Sequence, residues 1–298
     1  MKKVYMLFVT FIIIGNFCVA QEWMSSLDVA KRLAFVQNKL ILMVWEDVAK
    51  EYMPFVINHE GSSEIVNLFD SNYIDEIFWE NFVPVIVNEN MYSELYNQIA
   101  ETNDNSYIDM FNSDGIKILD INGKILGTYP LNDSYFDLEI FVYKYALNTS
   151  FLKDKLRNYR EGKSFYSSFR LASKYLDFSI LINNLVREEV INLSEIYLEE
   201  AYAHLLKSDI KQKEGFMQKG ELLKLKIHLI LNKPQKTLRK LKKFKKVEVD
   251  VINQSLLAFL YYTSYKLLNS EKKAEIWKSK VSSLDLKFAD LILKINSL

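Results

Sequence analysis

Few residues in this chain have the type and spacing to do chemistry. The most suggestive are two carboxylates, Glu46 and Asp47, placed directly after the apolar run Leu40–Trp45. Residues 47–57 read as a helix that Pro54 bends or ends. The free N–H groups at a helix start favour negative charge, and Asp is a preferred N-cap. The plain expectation is that Glu46 and Asp47 cap that helix. The functional alternative is a site for a cation or a basic peptide, although carboxylates without a dense loop pattern argue poorly for calcium. The only histidines are His59, His204 and His228, and none has a second His at metal-ligand spacing. His59 beside Glu60 could serve acid–base chemistry, but a lone loop histidine is ordinarily just solvated. There is no Gly-x-Ser-x-Gly elbow and no phosphate-binding glycine loop, and the chain holds only eight glycines. No cofactor and no metal are expected.

Sulfur chemistry is excluded on other grounds. Residues 1–20 have the layout of an export signal: Lys2 and Lys3, an apolar run over 4–14, then smaller residues ending at Cys18 and Ala20. The apolar run is shorter than the roughly 20 residues of a membrane span. Cleavage before Gln21 would leave a mature chain, periplasmic or secreted, without the single cysteine. Asn16 and Phe17 do not supply the small residues that lipoprotein processing wants before its cysteine, so a lipid anchor on Cys18 is the lesser alternative to a place in the cleavage region. Without disulfides, stability must come from apolar burial.

The net charge of zero conceals a division. Residues 21–148 carry 21 acidic and 7 basic side chains, and residues 149–298 carry 17 acidic and 29 basic. This shift places a domain boundary near Asn148, giving a signal at 1–20, one domain at 21–148 and a second at 149–298. The halves should attract each other, or each should meet a different partner.

The first domain reads as α/β. A helix is expected over 25–38, covered strands at Leu40–Trp45 and Phe82–Val87, a helix over 91–99, and a hairpin of 116–119 and 124–127 turning at Asn122-Gly123. A helix over 137–148 closes it. Helix, strand, helix, strand, helix, hairpin, helix implies a central mixed sheet flanked by helices. With Trp23, Ala30, Ala34, Asn38 and Lys39 ahead of the first strand, and Asp120, Gly123 and Lys124 around the hairpin, this order resembles the exported members of the thioredoxin-like family. The resemblance covers about 125 residues and also shows what is missing. The Cys-x-x-Cys slot holds Glu46, Asp47, Val48, Ala49 and Lys50, and the cis-proline slot holds Asp114 followed by Gly115. A non-proline cis bond costs ~3 kcal/mol, so Asp114 is expected trans. The resemblance therefore implies a redox-inactive site, in which Asp114 could lie across a groove from Glu46 and Asp47.

The second domain reads as all-α, with helices over 151–160, 164–176, 180–190, 194–207, 211–231, 234–246, 251–268, 271–281 and 283–295. Short helices in series imply stacked helical hairpins, and small–aromatic pairs near 172–175, 201–202 and 258–262 make them tetratricopeptide-like with an uneven period. One helix, "KPQKTLRKLKKFKK", is wholly basic and carries Lys236, Arg239, Lys240, Lys242, Lys243, Lys245 and Lys246. Leu238, Leu241 and Phe244 give it one apolar stripe to bury. Its cations could meet the acidic domain or an anionic surface; export argues against nucleic acid. The function expected is an exported scaffold or accessory factor that binds a protein or peptide partner in the cell envelope, not an enzyme. The alternatives are non-thiol enzyme chemistry on the carboxylates, or a structural envelope component. The oligomeric state is not legible.

Overall fold

A computed structural model describes residues 22–59, 61–100, 105–130, 135–244 and 249–297. The signal at 1–20, Glu60, Lys245 and Lys246 lie outside the described residues. The architecture is a mixed α/β N-terminal region followed by an all-helical C-terminal region.

Helix α1 (Leu27–Gln37) is N-capped by the Ser26 hydroxyl and buries Ala30 and Ala34, small residues that let it lie close to the sheet. Asn38 ends it in the left-handed conformation (φ 58°), a role Asn tolerates. The chain then enters β1 (Leu40–Trp45), buried along its whole length. β1 pairs in parallel with β4 (Phe82–Val87) and antiparallel with β5 (Gly115–Leu119), which pairs with β6 (Ile125–Pro130), so the strand order is β4-β1-β5-β6. A central strand covered on both faces must be apolar throughout, which is why this run was legible.

The segment after β1 overturns the expected helix over 47–57. A single 3-10 turn, Val48–Lys50, is followed by β2 (Pro54–His59), which forms an antiparallel hairpin with β3 (Ser62–Asn67). The physical reason is a period of two: Met53, Phe55 and Ile57 are buried while Pro54 and Val56 are half-buried. A short strand, β7 (Phe136–Asp137), joins β2 to complete a second sheet ordered β3-β2-β7. Helix α2 (Asn72–Asn81), then α3 (Tyr92–Ala100) and α4 (Asn105–Asn112), and finally α5 (Leu138–Tyr145) complete the region. Between the two sheets lies an aromatic core in which Phe55, Phe78, Phe82, Phe136 and Phe141 meet at ring separations of 5.1–6.0 Å.

The helical region runs α6 (Lys153–Glu161), α7 (Phe165–Phe178), α8 (Arg187–Lys207), α9 (Lys213–Ile230), α10 (Pro234–Phe244), α11 (Gln254–Leu267), α12 (Glu271–Lys278) and α13 (Ser283–Asn296). The helices expected over 180–190 and 194–207 are replaced by turns and one long helix. Asn183 accepts from the N–H groups of Leu185 and Val186 ahead of α8, so the helix begins after them. Ser194 does not start a helix, because its hydroxyl is buried and donates to Ala172 O at 2.7 Å. From α6 to α12 each helix packs on the next, α7 on α8 most extensively, and α13 returns to pack on α9 and α11.

The two regions share one continuous core and a polar seam. Asp120, just past β5, is completely buried. Its Oδ1 accepts from the N–H groups of Asn122 and Lys124, both at 2.9 Å, closing the hairpin turn in which Gly123 takes φ +87°. Its Oδ2 accepts from Tyr175 at 3.0 Å and from Tyr197, two rings stacked 5.4 Å apart on α7 and α8. Lys124 reaches Glu200 at 2.9 Å, and Lys144 reaches Glu189 at 2.6 Å. Gly127 is needed for the close approach, since a Cβ there would lie 2.7 Å from Glu189 Oε2.

Candidate functional site

The carboxyl ends of β1 and β4 lie side by side, the location where open α/β sheets often place their sites. Glu46 extends the pairing, its N–H donating to Val87 O at 2.9 Å. Its carboxylate accepts from the Asn88 amide. The Asp47 N–H donates to Glu89 Oε1 at 2.7 Å, and the Asp47 carboxylate takes Lys50 Nζ at 2.8 Å. That contact raises the Lys50 pKa. Val48 is buried and Ala49 half-buried, so these two residues anchor the turn.

The helix-start argument for Glu46 and Asp47 fails with the helix. A 3-10 turn of three residues offers no aligned array of N–H groups, and Asp47 makes no side-chain cap bond to it. Each carboxylate is instead held by a local donor.

The register that pairs Met43 with Lys117 would, if continued, set Glu46 opposite Asp114. Pairing stops at Lys117, however, and among the described residues no hydrogen bond or ion pair joins Asp114 to Glu46 or Asp47. Asp114 is exposed, and the described chain contains no cis peptide bond. Gly115 takes φ +113°, which suits glycine and lets the chain turn into β5. His59 is the last residue of β2, in the second sheet. Among the described residues no three of His, Cys, Asp and Glu are placed to hold a metal ion.

The residue with unusual chemistry here is Lys117. It sits opposite Met43 on the sheet face covered by α3 and α4, and it is completely buried. Its ammonium donates to Ser113 O at 2.5 Å and lies 5.7 Å from the Trp45 ring centre. Burial pushes its pKa down to about 8, against the opposing pull of Asp114. The Trp45 ring packs on Tyr92 and Phe111 at 5.9 and 5.7 Å. The cavity beside the lysine stem is about 50 Å³, room for a few waters at ~10–15 Å³ each. The lysine thus lies among packed aromatic and aliphatic side chains beside a small hollow, with no large cleft at its ammonium.

A more open concavity, about 330 Å³, lies between β2, α2 and α5, lined by Ile57, Tyr73, Ile77, Leu138, Glu139 and Tyr143. Tyr143 is 63% and Ile140 54% exposed at its edge. No cation lines it. Along the chain, the stretch 51–116 that supplies its β2 and α2 walls contains thirteen Asp and Glu and no Lys or Arg. None of the described acids in that stretch forms an ion pair.

The basic helix is described over Pro234–Phe244, and Lys245 and Lys246 lie outside the described residues. Leu241 is buried and Leu238 and Phe244 half-buried, while Lys236, Arg239, Lys240 and Lys242 are exposed. The helix packs on α9 and α11. Among the described residues no helix is long and apolar enough to cross a membrane. Comparison of the chain with family models, with curated proteins and with solved structures returns no match.

Proposed function

We propose that the protein is an exported, redox-inactive scaffold that uses its α/β half to hold an extended, cationic segment of a partner protein in the cell envelope. The observation that carries this reading is the cation-free concavity between β2, α2 and α5, open at Tyr143, two of whose walls belong to a stretch of chain, 51–116, with thirteen acids and no Lys or Arg. An apolar trough supplies contact area, and Glu139 with the carboxylates of that stretch favours a positive chain and speeds its approach. The four-stranded mixed sheet flanked by helices supports a thioredoxin-like identity for this half, and stacked helix pairs support a tetratricopeptide-like one for the other. The absence of a helix after β1 moves the peptide site away from the slot the resemblance implies, because no helix start is there to line a groove. The layout of residues 1–20 and the solitary Cys18 support export and redox silence.

The test is a peptide array graded in charge, read with the purified protein. Lys/Arg-bearing peptides with apolar residues should bind, with affinity falling as salt rises. Tyr143→Ala and Glu139→Lys should each weaken binding about tenfold, a ~1.4 kcal/mol loss. If cationic peptides bind no better than neutral ones of equal hydrophobicity, the reading is wrong.

A further inference from the structure

The helical half carries the opposite kind of surface. A trough of about 530 Å³ runs between α10, α11 and α12, lined by Arg239, Lys242 and Lys273 with Gln235 and Tyr265. A second hollow of about 420 Å³ continues it past Arg239 to Lys236 and Lys233 at the start of α10. No acidic residue lines either one, and among the described residues none of these five cations is in an ion pair. From Lys233 to Lys242 the helix rises ~13 Å, at 1.5 Å per residue, so the cations form a row and not a point. The neighbouring His228 registers their field: burial, then Lys236, Lys240 and Lys233, push its imidazole down to about 4.

A row of like charges drawn into a concavity repels itself until an anion of similar length fills it. The chain supplies such a surface at the carboxyl end of β1. There Glu94, Asp109 and Asp114 are exposed on α3, on α4 and just ahead of β5, and none of them is in an ion pair among the described residues. Neither surface is used in the seam between the halves, which is made by Asp120, Lys124, Glu189 and Glu200. We propose that the basic trough of one copy docks the acidic carboxyl-end surface of a second copy, giving head-to-tail self-association. Because the two patches differ, each docked copy still presents one free surface, so assembly is open-ended unless the rotation closes a ring. Residues 21–298 carry 38 acidic and 36 basic side chains, so little overall repulsion opposes it.

Sedimentation velocity of the purified protein tests this directly. At low ionic strength the wild type should associate with rising concentration, and about 0.5 M salt should weaken the association more than tenfold. A trough variant, Lys236→Glu with Arg239→Glu and Lys242→Glu, should remain monomeric. So should an acidic-surface variant, Glu94→Lys with Asp109→Lys and Asp114→Asn. These are exposed positions, and unchanged far-UV ellipticity verifies folding. Mixed in equal amounts, the two variants should form a two-copy complex that grows no further, since each retains one usable surface. A wild type that is monomeric at low salt overturns the proposal, as does a trough variant that still associates. Binding of monomers to vesicles of anionic phospholipid, lost in the trough variant without any self-association in the wild type, would also overturn it and assign the trough to lipid. Neither variant changes a residue lining the concavity near Tyr143, and Tyr143→Ala and Glu139→Lys change neither docking surface, so the two readings fail separately.

Discussion

Removing the Asp120 carboxylate should both destabilise the protein and uncouple its halves. Asp120 Oδ1 holds the hairpin through two N–H groups, and Oδ2 holds the Tyr175 and Tyr197 hydroxyls of the helical half. Burial pushes its pKa up, while these donors and Lys124 pull it back towards the ionised form. In Asp120→Ala the two hydroxyls are the main loss. Both tyrosines are fully buried, and each hydroxyl proton loses its acceptor at ~1–3 kcal/mol. The turn N–H groups are less costly because Asn122 and Lys124 are only half-buried, so water can replace the carboxylate. Releasing a buried charge offsets part of the total. The net expectation is a loss of ~2–4 kcal/mol. Asp120→Asn keeps an acceptor for the turn and can donate to a reoriented hydroxyl, so it should cost less than half as much.

Urea unfolding measures both effects. Trp23, Trp45 and Trp79 lie in the α/β half and Trp277 in the helical half. A Trp277→Phe background therefore leaves tryptophan fluorescence reporting the first half, while far-UV ellipticity is dominated by the second. The two transitions should coincide in that background and separate when Asp120→Ala is added. Adding Tyr175→Phe and Tyr197→Phe should recover part of the loss, because removing both partners of a buried hydrogen bond costs less than removing one. A loss below ~1 kcal/mol, or no recovery from the tyrosine changes, would refute the account of the seam.

Lys117→Met should stabilise the protein at neutral pH. Folding depresses the lysine pKa from 10.5 to about 8, a penalty of ~3 kcal/mol at 1.36 kcal/mol per unit, reduced by the lost bond to Ser113 O. Because the unfolded chain holds this proton longer, wild-type stability gains a rising contribution between pH 8 and 10 that Lys117→Met abolishes; denaturant midpoints across that range would show an unaltered slope if the ammonium is not buried as described. Gly127→Ala should cost ~1–3 kcal/mol, since its methyl would press on Glu189 and Tyr145 and lever α8 from β6; a thermal melt matching wild type would count against that close approach.

The legible parts of the fold are those written in local periodicity. Leu40–Trp45 and Phe82–Val87 could be read because a strand buried on both faces leaves no room for polar residues. Asn122-Gly123 could be read because a positive φ narrows the choice at a tight turn. The β2–β3 hairpin was not legible: Val48, Met53, Phe55 and Val56 mimic helical spacing, and the exposed face of β3 leaves its first residues without apolar alternation. Short helices such as Asn72–Asn81 and Asn105–Asn112 begin and end with Asn and merge into their surroundings. Lys117 sits in the strand "GIKIL", where alternation would assign it to a solvated face; its burial follows from α3 and α4 covering that face, a tertiary fact. Asp120 was visible as part of a turn, but its tyrosine partners lie 55 and 77 residues away, with no local signal connecting them.

The segment from Asp120 to Lys124 shows why surface charge is the better guide to function here. Turn chemistry alone accounts for Asp120 Oδ1 and for Gly123, yet Oδ2 and Lys124 both reach into the helical half. A hairpin whose turn is closed by its own residues is therefore also the fastening point for the helical region. Fixing the halves in this way leaves the carboxylates of 51–116 and the trough cations of α10 without ion-pair partners among the described residues. Two flexibly tethered domains of opposite charge could neutralise each other within one chain. A rigid seam that keeps those surfaces unpaired leaves their charge to act between molecules, where complementarity governs encounter rate and partner choice.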